Sequence, residues 1–360
     1  MLAPLTDAGA LSAKLRDIGQ PAALGVDTEF LRERTYFAQL CLLQLSTEND
    51  AFCVDTLALP VLEPVAALAA DASVCKVLHA ARQDMEVLAP FTGPLRNVFD
   101  TQVAAALLGF PAQVGYGDLV SQLLDVQLHK AHTRTDWSRR PLSAEQIEYA
   151  LDDVRYLLPL RSLLSERLHA QGRWEWFVEE SRAFDAVDGF SVDPERAWLR
   201  LRGLAALDEP RRRLAQRLGA WRERRAIESN RPRGWLLPDP ALRDIVLRVP
   251  RTMAALAAIQ ELPEGIRNNS GAQLLQLVSD AAVPDPPAPL PPRQRPDPDR
   301  QDAVARLQEV VRNCARELEL VPEILATRGE LEQIVAGNRD LGPLLGWRRS
   351  VVGEPMLAAL

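Results

Sequence analysis

Lysine, cysteine and histidine are scarce in this 360-residue sequence. Three lysines stand against 39 arginines, and there are only four cysteines and four histidines. The cysteines have neither the spacing of a metal site nor the density of a disulfide framework, so we expect buried free thiols. The histidines lack Cys, Asp or Glu partners at the spacing of a zinc site. These absences argue against a disulfide-rich secreted scaffold and against a zinc protein.

Long apolar runs are also missing. No stretch approaches the roughly 18 uncharged apolar residues of a membrane span, and the first 20 residues hold four charges without an apolar core of the signal-peptide type. We therefore expect a cytoplasmic protein with no membrane partner. No long apolar stripe indicates a subunit interface, so we expect a monomer. The formal net charge of −7 argues against a surface that is basic throughout.

The length of the chain favours more than one domain. Up to about residue 170, short apolar segments alternate with helical patterns, which predicts a mixed α/β sheet flanked by helices. The predicted strands are 22–26, 36–45, 51–54 and 74–78. The predicted helices of this part are 62–70, 83–88, 101–108 and 143–168.

The strand signal disappears after residue 174. Short amphipathic helices separated by Pro and Gly follow, which predicts a small all-helical domain. Residues 284–298 contain eight prolines in fifteen positions, a density typical of an extended linker. The boundaries that we predict are 1–170 for the α/β domain, 171–206 for a helical connection, 207–283 for a helical domain, 284–299 for the Pro-rich linker and 300–360 for a second helical domain.

Five residues of the α/β domain form a candidate catalytic set. Asp27 and Glu29 end the first predicted strand on one of its faces. Asp84 falls in the first turn of a helix, and Tyr149 and Asp153 are four residues apart on one helical face. Each motif alone has an ordinary explanation, because exposed acids are common and an acid in a first turn complements the helix dipole. Their joint occurrence at a strand end, a helix start and a late helix predicts one site.

Carboxylates gathered in one place repel one another unless cations neutralise them. Hard oxygen ligands of this kind suit Mg²⁺ or Mn²⁺. Two such ions, about 3.5–4 Å apart, stabilise both the attacking and the leaving oxygen of a phosphodiester displacement. A phenol beside the site can orient the attacking water.

Three sequence blocks resemble the DEDD 3′→5′ exonucleases of the Tyr-containing subclass, and within them bacterial ribonuclease D. They are Val-Asp-Thr-Glu-Phe (26–30), His-Ala-Ala-Arg-Gln-Asp (79–84), and Thr-Asp-Trp-Ser-Arg-Arg-Pro-Leu (135–142) leading into the helix with Tyr149 and Asp153. The resemblance is close over about 26–160 and implies a ribonuclease H-like exonuclease fold. Residues 211–281 resemble, more loosely, a helical nucleic-acid-binding module of the HRDC type, and residues 301–360 resemble a divergent second copy.

The resemblance also implies roles for the five residues. Asp27, Glu29 and Asp153 would hold one metal ion, Asp27 would bridge to a second, and Asp84 would support that second ion. Tyr149 would position the nucleophilic water. The implied activity is a hydrolytic 3′→5′ exoribonuclease that uses two divalent ions, Mg²⁺ or Mn²⁺, and releases nucleoside 5′-monophosphates. The implied substrate is structured RNA with a single-stranded 3′ end, such as a tRNA precursor.

Basic residues cluster in the predicted helical domain. Residues 211–251 contain twelve arginines and four acids, a local net charge of +8, which is typical of a surface that binds the phosphate backbone without reading sequence. Trp221 and Trp235 lie among them and offer stacking surfaces, although a buried tryptophan is the commoner case. The predicted nucleic-acid contacts are Lys130, Arg134, Arg139, Arg140, Arg222 and Arg225. For the first four, a solvated basic loop explains the sequence equally well.

Two other functions stay open at this point. The same chemistry can act on DNA, since the choice of sugar depends on 2′-hydroxyl contacts that the sequence does not locate. The helical domains can alternatively carry a binding function beside a vestigial acidic site. The intact carboxylates argue against the binding-only alternative, and the absence of a polymerase-length domain favours RNA over DNA.

Overall fold

The computed structural model describes residues 3–128, 135–185, 193–203, 207–280 and 298–360, and the chain divides into two compact units. The first unit comprises residues 1–31, 40–189 and 294–360, and the second comprises residues 32–39 and 190–293. Lys130, Arg134 and nearly all of the predicted Pro-rich linker lie outside the described residues. No described helix is both long enough and apolar enough to cross a membrane.

A five-stranded mixed sheet forms the centre of the first unit and confirms the predicted architecture. Its strands are β1 (Ala23–Leu31), β2 (Gln39–Ser46), β3 (Ala51–Val54), β4 (Cys75–Leu78) and β5 (Val98–Asp100). Their order is β3-β2-β1-β4-β5, with β1, β4 and β5 parallel and β3 antiparallel to β2. The sequence analysis missed β5 because three fully buried residues show no alternation.

Helices cover both faces of this sheet. They are α1 (Ala8–Ile18), α2 (Glu63–Ala70), α3 (Arg82–Thr92), α4 (Thr101–Ala106), α5 (Tyr116–Leu124), α6 (Ala144–Arg155), α7 (Leu157–Ala170) and α8 (Trp174–Asp185). The single helix predicted over 143–168 is wrong, because the chain breaks at Tyr156. Pro159 explains the break, since its ring lacks an amide hydrogen and would clash with the carbonyl of Arg155 in a continuous helix.

The start and the buried face of α6 are fixed by its sequence. Ser143 and Gln146 form a capping box, in which the Ser143 amide donates to Gln146 Oε1 (2.7 Å) and the Gln146 amide donates to Ser143 Oγ (3.2 Å). Apolar residues then recur at helical spacing and are buried; they are Ile147, Ala150, Leu151 and Val154. This face packs on β1 and β3 and so sets the direction of the neighbouring polar side chains.

The second unit is helical, as predicted. Its helices are α9 (Glu209–Ser229), α10 (Arg233–Leu236), α11 (Asp239–Arg248), α12 (Met253–Ala257) and α13 (Glu264–Asp280), preceded by a 3₁₀ helix at Pro194–Arg200. Trp198 and Trp221 are buried in its core. At Gly219, an added Cβ would lie 2.8 Å from the Cβ of Trp198. Glycine therefore allows α9 and the 3₁₀ helix to cross closely.

Residues 32–39, which follow β1 in sequence, belong to this second unit. The Phe37 amide donates to Asn230 Oδ1 (3.0 Å), and the Tyr36 hydroxyl donates to the buried carboxylate of Glu223. Glu223 also accepts two hydrogen bonds from the Arg233 guanidinium. Burial, followed by the effects of Glu223, raises the pKa of Tyr36 to about 12, so the phenol stays a donor. Polar contacts thus attach this segment to the helical unit.

The C-terminal helices pack within the first unit. They are α14 (Pro298–Glu317), α15 (Pro322–Leu325), α16 (Arg328–Val335), α17 (Gly346–Arg348) and α18 (Glu354–Ala358), with a 3₁₀ turn at Gly342–Leu344 and a π turn at Arg349–Gly353. Their apolar residues share one core with β4, α4 and α7. Trp347 stacks on Trp176 with ring centroids 4.3 Å apart, and Arg173 donates to the carbonyls of Leu107 (2.8 Å) and Leu318 (2.5 Å).

We expect Trp347→Ala to destabilise the whole first unit by about 3–5 kcal/mol, because truncating a buried tryptophan leaves a cavity in the shared core. Hydrogen exchange of amides in β1 and β4 measures this loss directly. Leu345→Ala, which truncates an exposed neighbour, should leave exchange unchanged. Unaltered protection of β1 and β4 in Trp347→Ala would mean that the C-terminal helices unfold independently.

Candidate active site

Three of the predicted carboxylates meet at the carboxyl end of β1. One oxygen from each of Asp27, Glu29 and Asp153 lies within 4.8 Å of the others. The first two alternate along β1 on the face that α6 covers, and the third is supplied by α6 itself. Three hard oxygen donors at this separation fit a divalent cation such as Mg²⁺ or Mn²⁺.

A glycine lets α6 approach this end of β1. A Cβ at Gly25 would lie 2.2 Å from Ser46 Oγ and 3.3 Å from the carbonyl oxygen of Val154. The Ser46 hydroxyl donates to that same carbonyl (2.8 Å), which ties the end of α6 to β2. Because Asp153 precedes Val154, this close contact brings its carboxylate to β1.

Asp84 reaches the site from the start of α3. It is only 7% exposed and accepts a hydrogen bond from the Thr28 hydroxyl (2.5 Å). The turn before α3 is fixed by Asp100, whose carboxylate accepts from the amides of Ala80 (3.0 Å) and Ala81 (2.8 Å). Since β1 and β4 are parallel, the turn that follows β4 lies at the same edge of the sheet as the end of β1. The structure therefore places all four predicted carboxylates at one edge.

Burial raises the pKa of every carboxylate in this group, and the charges of nearby carboxylates add to the effect. Burial has the largest effect on Asp27, followed by the charges of Asp84, Asp153 and Glu29, and its pKa lies well above the usual value. Burial and then the charges of Asp153 and Asp84 raise the pKa of Glu29 to about 8. The pKa of Asp84 rises to about 6 and that of Asp153 to about 7, again mainly through burial. Cations would relieve this repulsion.

Tyr149 lies beside the carboxylates on α6. Its ring is partly buried and lies 6.1 Å from that of Trp137, centroid to centroid. Burial, then the charges of Asp153, Glu29 and Asp27, raises the pKa of its phenol. The hydroxyl therefore stays protonated near neutral pH and can orient a water molecule by hydrogen bonding.

The sequence analysis missed a tyrosine that braces the end of α6. The Tyr116 hydroxyl donates to the carbonyl of Asp152 (3.1 Å) and accepts from the amide of Tyr156 (3.2 Å), so it bridges the break between α6 and α7. Its ring lies 5.6 Å from that of His79, whose Nε2 is 2.9 Å from the Val114 carbonyl oxygen. No sequence signal marks Tyr116 as a brace, because its partners are about forty positions away. Asp100 was also missed, although an aspartate directly before a helical pattern is a typical N-cap.

The predicted contacts Arg139 and Arg140 differ in exposure. The side chain of Arg139 is 84% exposed and pairs with Asp136 (3.2 Å). Arg140 instead donates to both carboxylate oxygens of Asp55 and to the carbonyls of Cys41, Trp137 and Arg139. These bonds occupy the whole guanidinium, so the prediction of a phosphate contact at Arg140 is wrong. Its physical role is to hold the loop before α6 against β2 and β3.

In the second unit, Arg222 and Trp235 require corrections. Arg222 is 5% exposed, and its guanidinium donates to the carbonyl of Leu237 (2.9 Å) and to Asp239 (2.5 Å). This burial contradicts a nucleic-acid contact at Arg222. Trp235 is 57% exposed, contrary to the commoner buried position. Arg225 is exposed, with its guanidinium 3.6 Å from Glu228.

Comparisons with known families divide the chain at similar positions. A family model of 3′-5′ exonucleases matches residues 3–169, and a model of the HRDC domain matches residues 211–278.

Whole-chain relatives are similar over nearly the full length. A ribonuclease D of Gluconacetobacter diazotrophicus is 40% identical over 347 residues, which cover 93% of this chain and 86% of that protein. A ribonuclease D of Jannaschia is 39% identical, covering 93% and 89% respectively. The crystal structure of Escherichia coli RNase D, an exoribonuclease involved in structured RNA processing, matches with a TM-score of 0.89 at 28% identity and covers 100% of this chain and 98% of that chain.

We expect Glu29→Gln to stabilise the metal-free protein at pH 8 more than at pH 5. The folded pKa of Glu29, about 8, exceeds its usual value of 4.5, so the folded state holds the proton more tightly and loses stability as pH rises between these values. Glutamine removes that loss. Each pKa unit corresponds to about 1.4 kcal/mol, so thermal unfolding in EDTA at both pH values should show a gain of several degrees at pH 8.

The control for this measurement is Glu148→Gln. Glu148 is exposed and its pKa is lowered by the hydrogen bond from Arg155, so its removal should destabilise slightly at both pH values. An equal change at pH 5 and pH 8 for Glu29→Gln would contradict the repulsion described for the acidic cluster.

Proposed function

Because this chain belongs to the ribonuclease D family and is a 3′→5′ exoribonuclease, we propose that its acidic cluster holds two divalent metal ions during RNA hydrolysis. The observation that carries this proposal is the convergence of Asp27, Glu29 and Asp153 within 4.8 Å. Asp27, Glu29 and Asp153 would hold one ion, and Asp27 and Asp84 the other. The raised pKa values support this assignment, since burial, and then the charges of neighbouring carboxylates, disfavours the ionised forms, and bound cations would offset both effects.

When bound, Mg²⁺ or Mn²⁺ supplies Lewis-acid stabilisation of the charge that develops on the scissile phosphate. The chain itself supplies orientation. The Tyr149 hydroxyl hydrogen-bonds to the attacking water, whose oxygen forms a bond to phosphorus while the bond from phosphorus to the 3′ oxygen breaks. The water loses one proton to solvent, and the 3′ oxygen gains one from solvent. The product is a nucleoside 5′-monophosphate, and the shortened RNA keeps a 3′-hydroxyl.

The proposed substrate is structured RNA with a single-stranded 3′ end, including tRNA precursors. The involvement of the Escherichia coli relative in structured RNA processing supports this class. The composition of the second unit also supports an RNA substrate. Residues 211–251 have a net charge of +8, and Arg225 and Trp235 are exposed there. Arginine would bind the backbone and Trp235 would stack on a base without reading sequence.

The domain and cellular assignments belong to the same proposal. The family matches over 3–169 and 211–278 support an exonuclease domain at 1–170 and an HRDC-like domain at 207–283. We retain residues 171–206 as a connection, 284–299 as a linker and 300–360 as a divergent second HRDC-like domain, whose helices pack within the first unit. We place the enzyme in the cytoplasm as a monomer.

Asp27→Asn and Asp153→Asn should lower kcat on a 3′-extended RNA by a factor of about 10³ or more, because each removes a negative charge that holds the cations. Tyr149→Phe should retain Mn²⁺ binding and lose about 10² in kcat, because the attacking water loses the hydroxyl that orients it. Single-turnover assays with Mg²⁺ or Mn²⁺ measure both effects.

Tyr156→Phe is the matched control, since it removes a phenol from the adjacent helix junction without touching the carboxylates. Activity that survives Asp27→Asn or Asp153→Asn would contradict the proposed mechanism. A DNA strand of the same sequence should be degraded more slowly than the RNA, and equal rates would contradict the assignment of RNA.

Trp235→Ala should weaken RNA binding by about tenfold, because base stacking on an aromatic side chain contributes about 1–3 kcal/mol. Fluorescence anisotropy with a single-stranded 3′ overhang, in the presence of Ca²⁺ in place of Mg²⁺, measures the affinity. Leu247→Ala removes another exposed apolar side chain of the same unit and should bind as the wild type does. Equal affinities for all three proteins would remove Trp235 from the proposed RNA surface.

A further inference from the structure

Gln44 occupies an unusual position in β2. Its side chain is fully buried, and among the residues that the structure describes neither Nε2 nor Oε1 has a hydrogen-bond partner. An unpaired amide in a protein core costs folding free energy, whereas an apolar side chain of the same size would not. The position therefore points to a role other than stability.

The strand register places Gln44 opposite Asp27. Seven residues connect β1 to β2, which is too short a connection for parallel strands and makes the pair antiparallel. A Cβ at Gly25 would lie 2.2 Å from Ser46 Oγ, so these two residues face each other directly, since diagonal neighbours are about 7–8 Å apart. In antiparallel strands, a step of two residues from Gly25 to Asp27 corresponds to a step from Ser46 to Gln44. Asp27 therefore faces Gln44 on the same side of the sheet.

The opposite face of the sheet agrees with this register. Val26 and Leu45 would also be direct partners, and both line one small internal space between the sheet and α2 and α3. The face that carries Gln44 is therefore the one covered by α6.

The row of side chains that contains Asp27 and Gln44 continues onto β3. Gln44 pairs with Cys53 in the β2–β3 ladder, and Cys53 packs against Ala150 and Leu151 of α6. Burial and then the charge of Asp27 raise the pKa of Cys53 to about 12, so the carboxylate acts across the width of β2. Gln44 lies between Asp27 and Cys53 in this row of side chains across the three strands.

We propose that Gln44 is a positioning residue for Asp27: when cations are bound, its amide N–H, which is unpaired among the described residues, donates to the Asp27 carboxylate and holds it in the orientation that binds them. The inference rests on the proposed function, in which Asp27 bridges two metal ions. A ligating carboxylate is normally held by a further hydrogen bond. A neutral amide suits this place because an arginine or lysine would neutralise the carboxylate and compete with the cation.

The test compares Mn²⁺ binding to the full chain without RNA, by isothermal titration calorimetry, with melting temperatures in EDTA. Gln44→Met keeps the length of the side chain and removes the donor, and it should bind Mn²⁺ about 10–100-fold more weakly. Its metal-free melting temperature should equal or exceed that of the wild type. In RNA hydrolysis, kcat should fall while KM for RNA stays unchanged.

Leu45→Val is the matched control, since Leu45 is buried on the same strand but faces α2 and α3; it should lose stability and keep Mn²⁺ affinity. If Gln44→Met does not fold, Gln44→Asn, which withdraws the amide by one carbon, carries the same expectation.

Mn²⁺ affinity within twofold of the wild type would overturn the role of Gln44 and leave the proposed function intact. A parallel loss of metal-free stability and affinity would also overturn it, because it would show that Gln44 only supports packing. A wild-type chain that binds no Mn²⁺ would overturn the proposed function itself, and this inference with it.

Discussion

The burial of four neighbouring carboxylates at the end of β1 is the constraint that the first unit has to meet. The pKa values of Asp27, Glu29, Asp84 and Asp153 are all raised, which means that the folded chain holds them closer together, and farther from water, than their charges favour. The opposing free energy comes from apolar packing between α6 and the sheet. Apolar packing therefore supplies the free energy that keeps the four carboxylates together despite their unfavourable electrostatics.

Each carboxylate is held by a different structural device. Strand alternation fixes the direction of two of them, a close contact at Gly25 admits the helix that carries the third, and the Asp100 hydrogen bonds fix the turn that carries the fourth. Tyr116 then braces the helix break behind the site. Because these supports are built from buried backbone contacts, little binding free energy is needed to order the protein around a ligand.

Local periodicity was sufficient to predict the acidic residues, because alternation and four-residue spacing depend only on neighbours in sequence. The helix break at Tyr156 was missed, although Pro159 in the sequence indicates it. The hydrogen bonds of Arg140 and the burial of Arg222 could not be predicted. Asp55 lies far along the chain from Arg140, and exposure depends on tertiary packing. The roles of Gly25 and Tyr116 could not be predicted for the same reason, since they depend on residues that only the fold places beside them. Asp100 could have been predicted as an N-cap.

The shared core of the first unit joins segments that lie far apart in sequence, since Ala23 and Met356 belong to one cluster. Contacts of such sequence separation form late, because the loop between them must close first. During synthesis the catalytic carboxylates leave the ribosome long before α18 does. A stable core therefore becomes available to this nuclease only after α18 has been synthesised, so the appearance of its catalytic residues does not by itself time its maturation.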